Sequence, residues 1–352
     1  MLMQRYDRLV PTYGTCKKKN NKNMKRHSFA AICASLMIFG CFQGSICHAQ
    51  DSLLKPDVTY KYAERDSLRL LLDIYYPADG SEMTVNGVNK PTILYVFGGG
   101  FKMGHRSSRD VNGWFKLLTD EGFTVVAMDY RLGLKDATKV GVGQQKTLRK
   151  AINMAVEDLF SATKFILDWP ETLDIDPSSI VIAGSSAGAI TALQAEWELC
   201  NRTELAAVLP EDFRYAGVMA FSGAVFSNKG SVKYRHLEPA TTLMFHGTSD
   251  KIVTYKQIKF FNLAFQGTSK IAKEFKSKGY NYNVYRFKGN GHEIAAAMEH
   301  TFPEQLRWLE TNVIGQEERT IDATVNDPSI PSFFITDLKS LYKPAEEDIS
   351  FE

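Results

Sequence analysis

Gly184-Ser185-Ser186-Ala187-Gly188 follows directly on the apolar run Ile180-Val181-Ile182-Ala183 and opens an amphipathic helical stretch that reaches about Leu199. No other segment limits the fold as tightly. A chain can turn from strand to helix in so few residues only where glycine removes the Cβ. The residue at the apex is then forced into a strained backbone conformation. Here the apex is Ser186. Its side chain is thrust out at a helix N-terminus, where free N–H groups and the helix dipole favour negative charge. The same turn aims Ser185 away. An ordinary glycine-rich turn carries the same residues by accident, and it is the strand before and the helix after that give G-x-S-x-G its weight.

The rest of the chain repeats that alternation. Residues 92–97, 124–129, 218–221, 242–245 and 283–287 are further short apolar runs, of the kind that suits strands covered on both faces. Helical patterns lie between them at about 113–121 and 147–169, the latter closed by Pro170, and a last one at 294–312. A strand pair at 58–62 and 68–75, turning at Glu64-Arg65-Asp66, comes first, followed by a polar loop from Pro77 to Pro91. This order predicts an α/β fold with a mostly parallel central sheet and helices on both faces. With 44% hydrophobic and 23% charged residues in 352, disorder, collagen and coiled coil are excluded.

The net charge of +2 hides a division. Residues 1–49 hold eight of the 42 Lys and Arg and one of the 40 Asp and Glu, which leaves 34 basic against 39 acidic residues in the remainder. An acidic body argues against nucleic acid as a partner. The basic N-terminal segment reads as a signal peptide: Lys25-Arg26, an apolar run from Ser28 to Phe42, and the small-residue cut site Cys47-His48-Ala49. The run is short for a membrane span, which needs about 20 apolar residues. An N-terminal anchor helix is the plainer alternative. Met24 stands just before the basic pair, so residues 1–23 read as an upstream extension of the true start. Secretion or periplasmic export is expected, and Ile38-Phe39-Gly40-Cys41 offers a lipoprotein alternative anchored through Cys41. Only Cys200 lies after the cut, so neither an internal disulfide nor a cysteine metal cluster is expected. The domains are then 1–49 for export, 50–315 for the catalytic domain, and 316–352 as an extension. Phe333, Phe334, Ile335, Leu338 and Leu341 make that extension too apolar for a solvated tail, so it is expected to pack back on the domain, against the alternative of a frayed terminus.

A serine hydroxyl needs a base to act as a nucleophile at neutral pH. His292, in Gly289-Asn290-Gly291-His292-Glu293, lies in a glycine-rich loop after the last strand, and loops at the carboxyl ends of parallel strands carry the site in such sheets. His300 falls within the predicted last helix, and His246 ends a strand and is expected to hydrogen-bond locally. The base needs an acid to hold its tautomer. Asp250, in His246-Gly247-Thr248-Ser249-Asp250, fits best, with Asp129 and Glu293 as rivals. An acyl-transfer oxyanion needs preorganised N–H groups. The amides of Gly99 and Gly100, in Phe97-Gly98-Gly99-Gly100-Phe101, and that of Ala187 are the candidates. No metal and no cofactor is implied.

These pieces, together with Asp129-Tyr130-Arg131-Leu132, resemble the α/β-hydrolases. Within that superfamily they are similar to hormone-sensitive-lipase-type and carbohydrate-esterase-like carboxylesterases. The resemblance spans residues 92 to about 312. It implies an α/β-hydrolase fold and the order Ser186, Asp250, His292 for a catalytic triad; the sequence itself offers no large apolar lid, so no large separate cap domain is expected. The family usually has His where Phe97 stands, though backbone amides survive that change. The resemblance gives Asp129-Tyr130-Arg131 a structural role in bracing the oxyanion loop.

The reading that follows is an exported serine esterase acting on a small ester or an esterified carbohydrate, with acetyl and feruloyl groups on polysaccharide as the expected substrates. A peptidase of the prolyl-oligopeptidase type and a silent hydrolase-fold binding protein are the alternatives. No propeller-length domain precedes the catalytic one, and no triad member is missing, which disfavours each in turn. Loops 133–150 and 223–240 are candidates for the pocket rim, though plain surface loops fit as well. Phe101, Trp114 and Phe226 suit either an aryl or sugar site or the core.

Overall fold

A computed structural model describes residues 53–137, 144–228, 230–260 and 263–330. The export segment, Cys41 and the apolar residues 333–341 lie outside these. The strands are β1 (Val58–Arg65), β2 (Leu68–Tyr75), β3 (Thr84–Val85), β4 (Val88–Asn89), β5 (Thr92–Val96), β6 (Val125–Met128), β7 (Ile180–Ser185), β8 (Gly217–Phe221), β9 (Ala224–Ser227), β10 (Thr242–Gly247), β11 (Gln257–Phe260), β12 (Leu263–Gly267), β13 (Tyr282–Phe287) and β14 (Ile321–Val325). The helices are α1 (Arg109–Asp120), α2 (Gln145–Asp168), α3 (Pro170–Leu173), α4 (Ala187–Cys200), α5 (Thr268–Lys278) and α6 (Phe302–Trp308).

Nine strands form one sheet in the order β1-β2-β6-β5-β7-β8-β10-β13-β14. β1 and β2 pair antiparallel, β2 joins β6 antiparallel, and every later pairing is parallel. Strands β5, β6, β7, β8 and β10 are buried at every residue, which is why they read as unbroken apolar runs. α1 and α6 meet through Trp114, whose indole N–H donates to Gln305 Oε1 at 2.7 Å, while α2 packs on α4. Among the described residues no separate cap stands over the sheet, and no helix is long and apolar enough to cross a membrane.

Several elements differ from the sequence expectation. The polar loop at 77–91 holds the hairpin β3–β4, because Asn86 and Gly87 both take positive φ (51° and 79°), the geometry of an Asn-Gly hairpin turn. α1 begins at Arg109 rather than near 113, since the Ser108 side chain accepts the Asp110 N–H and caps it. α4 is buried on every side instead of amphipathic, wedged between the sheet and its neighbours. The expected helix at 294–312 is broken: a 3₁₀ turn covers His292–Ala296, α6 starts only at Phe302 with Pro303 in its first turn, and Leu309–Ile314 widens to π geometry. His300 therefore sits in a turn, where its Nε2 pairs with Asp327 Oδ2 at 2.7 Å.

Phe101, Trp114 and Phe226 are buried core residues. Residues 223–240 are only partly loop, since β9 forms a small antiparallel sheet with β12 and β11. Of the 133–150 stretch, residues 138–143 lie outside the described residues, and α2 begins at Gln145.

Candidate active site

β7 ends at Ser185, and Ser186 takes φ 52°, ψ −113°, a strained conformation for a residue with a side chain. The strain is held from both sides. The Ser186 N–H donates to Phe221 O on β8 (2.8 Å), and Ser186 O accepts the Ile190 N–H (2.9 Å) that opens α4. Both motif glycines are required by close approach. A Cβ on Gly184 would meet the Gly188 carbonyl carbon at 2.3 Å, and one on Gly188 would meet Val96 O at 1.9 Å. Gly188 thus lets the end of β5, and the glycine loop that follows it, sit on the first turn of α4. Gly188→Ala is expected to destabilise the protein by about 3 kcal/mol, the upper range for overpacking. A shift of the urea midpoint with unchanged slope is the check.

Ser186 Oγ lies 2.8 Å from His292 Nε2, and His292 Nδ1 lies 2.8 Å from Asp250 Oδ2. A nitrogen facing a carboxylate carries the proton, so Nε2 is left to accept the serine hydroxyl. His292 stands at the start of the 3₁₀ turn after β13, and Asp250 in the loop after β10. The two loops are laced together by backbone. Ser249 N–H donates to Asn290 O (2.9 Å), and a Cβ on Gly247 would strike Gly291 O at 2.1 Å. Asp250 Oδ1 accepts the N–H groups of Ile252 (2.8 Å) and Val253 (3.0 Å). Burial of this carboxyl alone would raise its pKa. Hydrogen bonds from His246 and His292 outweigh that and hold it well below the usual aspartate range.

The rivals for the acid are engaged elsewhere. Glu293 Oε1 accepts the Gly291 N–H (2.8 Å) and the Asn290 side-chain amide (3.0 Å), stiffening the loop that carries His292. Asp129 Oδ2 pairs with Arg106 Nη1 at 2.7 Å.

Gly99 and Gly100 both have positive φ (108° and 65°), and a Cβ on Gly98 would sit 3.4 Å from Ser186 Cβ. The loop therefore runs against the nucleophile turn, on the side where the Ala187 N–H begins α4. Phe97 stacks on Tyr130 (centroids 4.3 Å apart), and the Tyr130 hydroxyl donates to Phe97 O at 3.0 Å. Arg131 is anchored in turn to Asp158 of α2, with Nε 3.0 Å from Oδ1. Arg106, on the exit from the loop, joins Asp129 to Asp73 of β2. Asp129-Tyr130-Arg131 thus ties the glycine loop to the sheet and to α2.

Two partners escape sequence reasoning. Ser185 is not idle. Its buried hydroxyl donates to Ala295 O at 2.6 Å, linking the nucleophile turn to the turn carrying His292. The partners stand 110 positions apart, and no local pattern announces them. Ser185→Ala is expected to leave that carbonyl unpaired and cost about 1–3 kcal/mol of stability, with the mutant still turning over substrate. Thermal melting beside steady-state kinetics separates the two effects. The other partner is His246, whose Nε2 lies 3.3 Å from Asp250 Oδ2. The spacing of four residues across a strand end is the one sequence signal for it.

A parallel sheet in this order, with a strained serine turn after its central strand, has the α/β-hydrolase fold. The family described as BD-FAE matches residues 72–205. Carboxylesterase 5A of Felis catus is 34% identical over 134 residues, covering 38% of this chain and 22% of the cat protein. Ethyl acetate hydrolase of Pseudomonas putida is 27% identical over 143 residues, 41% of this chain and 39% of that one. The chain therefore spans well under half the length of these curated relatives. Among solved structures, the apo form of Thermogutta terrifontis esterase 2 superposes with a TM-score of 0.52 at 19% identity, over 75% of this chain and 97% of that one.

Proposed function

We propose that the chain is an exported carboxylic ester hydrolase that works through Ser186, His292 and Asp250. The observation that carries the reading is the unbroken hydrogen-bonded chain from the strained Ser186 through His292 to Asp250. Ser186 Oγ attacks the ester carbonyl while His292 Nε2 takes its proton. The amides of Gly99, Gly100 and Ala187 receive the charge that develops on the carbonyl oxygen. Collapse expels the alcohol, which takes the proton from His292, and leaves an acyl-serine. Water attacks this ester with His292 again as base, and the acid departs. Asp250 holds the tautomer and offsets the imidazolium charge throughout. The matches to the cat carboxylesterase and the bacterial ethyl acetate hydrolase support ester chemistry over amide chemistry.

Incubation with p-nitrophenyl acetate and with a dipeptide anilide tests this. Turnover of the ester alone is expected. Turnover of the anilide favours a peptidase, and inertness toward both favours a silent binding protein. For the substrate, we infer acetyl or feruloyl esters on polysaccharide, and a panel of acetylated xylan, methyl ferulate and short p-nitrophenyl esters decides it. Export rests on the N-terminal pattern, and mass spectrometry of the mature protein from a Gram-negative host should find a start near Gln50. A lipid on Cys41 would mean an anchored form, and an intact Met1 would remove both.

A further inference from the structure

We propose that His246 is a positioning residue for the Asp250 carboxylate, a second imidazole that shares Oδ2 with His292 and tunes how strongly that oxygen supports the base. The proposal rests on the esterase reading above. His246 is the penultimate residue of β10 and is fully buried. Its ring is bonded at both nitrogens. Nε2 faces two acceptors, Val253 O at 3.0 Å and Asp250 Oδ2 at 3.3 Å, so Nε2 carries a proton. Nδ1 faces Thr268 Oγ1 at 2.8 Å, and a hydroxyl can fill the role that a lone pair on Nδ1 requires. Thr268 is the first residue of α5 and is itself fully buried. A neutral Nε2–H imidazole satisfies every contact with no change of partner.

The chain of contacts then runs Thr268, His246, Asp250, His292, Ser186. Asp250 Oδ2 accepts from two imidazoles, at 2.8 Å from His292 and 3.3 Å from His246. Two consequences follow. The second donor fixes the carboxylate rotamer, with Oδ1 pinned by the N–H groups of Ile252 and Val253. It also draws on the charge of Oδ2, so the share left to stabilise the His292 imidazolium is smaller than a singly bonded carboxylate would supply. The other groups around His246 do not compete for this role. Tyr255 packs edge-on to the ring, with centroids 5.6 Å apart. Arg286, its register partner on β13, is engaged by Asp322 of β14 at 2.8 Å. On the β8 side the neighbouring contact is from backbone, the Ser222 N–H to Phe245 O at 2.8 Å.

The test reads kcat/KM against pH for p-nitrophenyl acetate in the full chain, for wild type, His246→Phe and His246→Gln. His246→Phe removes the donor, so the acid limb is expected to move up by about one pH unit, the size of one differential charge interaction. kcat should fall about tenfold with KM little changed, because a tilted Asp250 misplaces the base and not the substrate. His246→Gln keeps an N–H for Oδ2 and should return the limb toward wild type. A role confined to holding the loop through Val253 O would lower the melting temperature in both variants and leave the acid limb in place, and that result overturns the proposal. If His246→Phe does not fold, nitrogen-15 NMR of histidine-labelled wild type decides: a protonated Nε2 with Nδ1 as acceptor supports it, and the Nδ1–H tautomer overturns it. Should the wild type turn over no ester, the esterase reading fails, and the same NMR measurement still judges the contact of His246 with Asp250.

Discussion

Ser186→Ala should lower kcat for p-nitrophenyl acetate by roughly 10⁴-fold or more, because members of a serine–histidine–acid unit act together and losing one forfeits nearly all of their joint effect. The fold should be untouched. Ser186 Oγ has its one described partner in His292, and alanine meets no new contact at the apex of the turn. The measurement is steady-state turnover of purified protein from a host lacking contaminating esterases, with circular dichroism and melting run alongside. Full activity in a well-folded Ser186→Ala protein would falsify the serine-hydrolase reading outright.

Asp250→Asn should be nearly as severe, by roughly 10⁴-fold in kcat, since an amide stabilises the wrong imidazole tautomer and cannot offset its charge. The local contacts add a second penalty. Four N–H donors converge on this carboxylate, two on each oxygen: Ile252 and Val253 on Oδ1, His246 and His292 on Oδ2. An amide has one acceptor oxygen, so whichever way it turns, its NH₂ faces donors. Stability should therefore fall as well, unlike in Ser186→Ala. The pH dependence carries the same signature. An acid whose folded pKa lies below its unfolded value adds stability above the ordinary aspartate range and loses it as pH falls toward the folded value. Denaturant midpoints between pH 7 and strongly acidic conditions should converge for wild type and Asp250→Asn. A constant gap would mean that folding does not lower the pKa of Asp250.

Burial decides which elements can be read from the sequence. β5, β6, β7, β8 and β10 announce themselves because both of their faces are covered, and an unbroken apolar run that short fits little but a buried strand. α5 does not, since Lys270, Lys273, Lys276 and Lys278 leave only a thin apolar stripe of Ile271, Ala272 and Phe275. β9, β11 and β12 are short, and although β11 and β12 pair with each other locally, β9 joins them only by a pairing that crosses more than 30 residues. At the site, Ser186, Asp250 and His292 are legible because each follows a readable strand. Their supports are not. Ser185 with Ala295 is a contact between distant segments, and nothing at either position encodes its partner, while the bracing of the Phe97 loop by Tyr130 is signalled only by the resemblance and not by any local pattern.

β14 matters for what it prevents. β13 has five of its six residues buried, and without a neighbour its outer row of peptide groups would be an open template for another chain. Residues 321–325 fill that row in parallel register, with Asp322 and Thr324 turned to solvent. The edge that the sheet finally presents is thus short and partly charged. A chain cut after residue 315 would expose β13 on the flank beside the loop that carries His292. Its first symptom should be self-association at high concentration, well before any loss of the hydrogen bonds around Ser186.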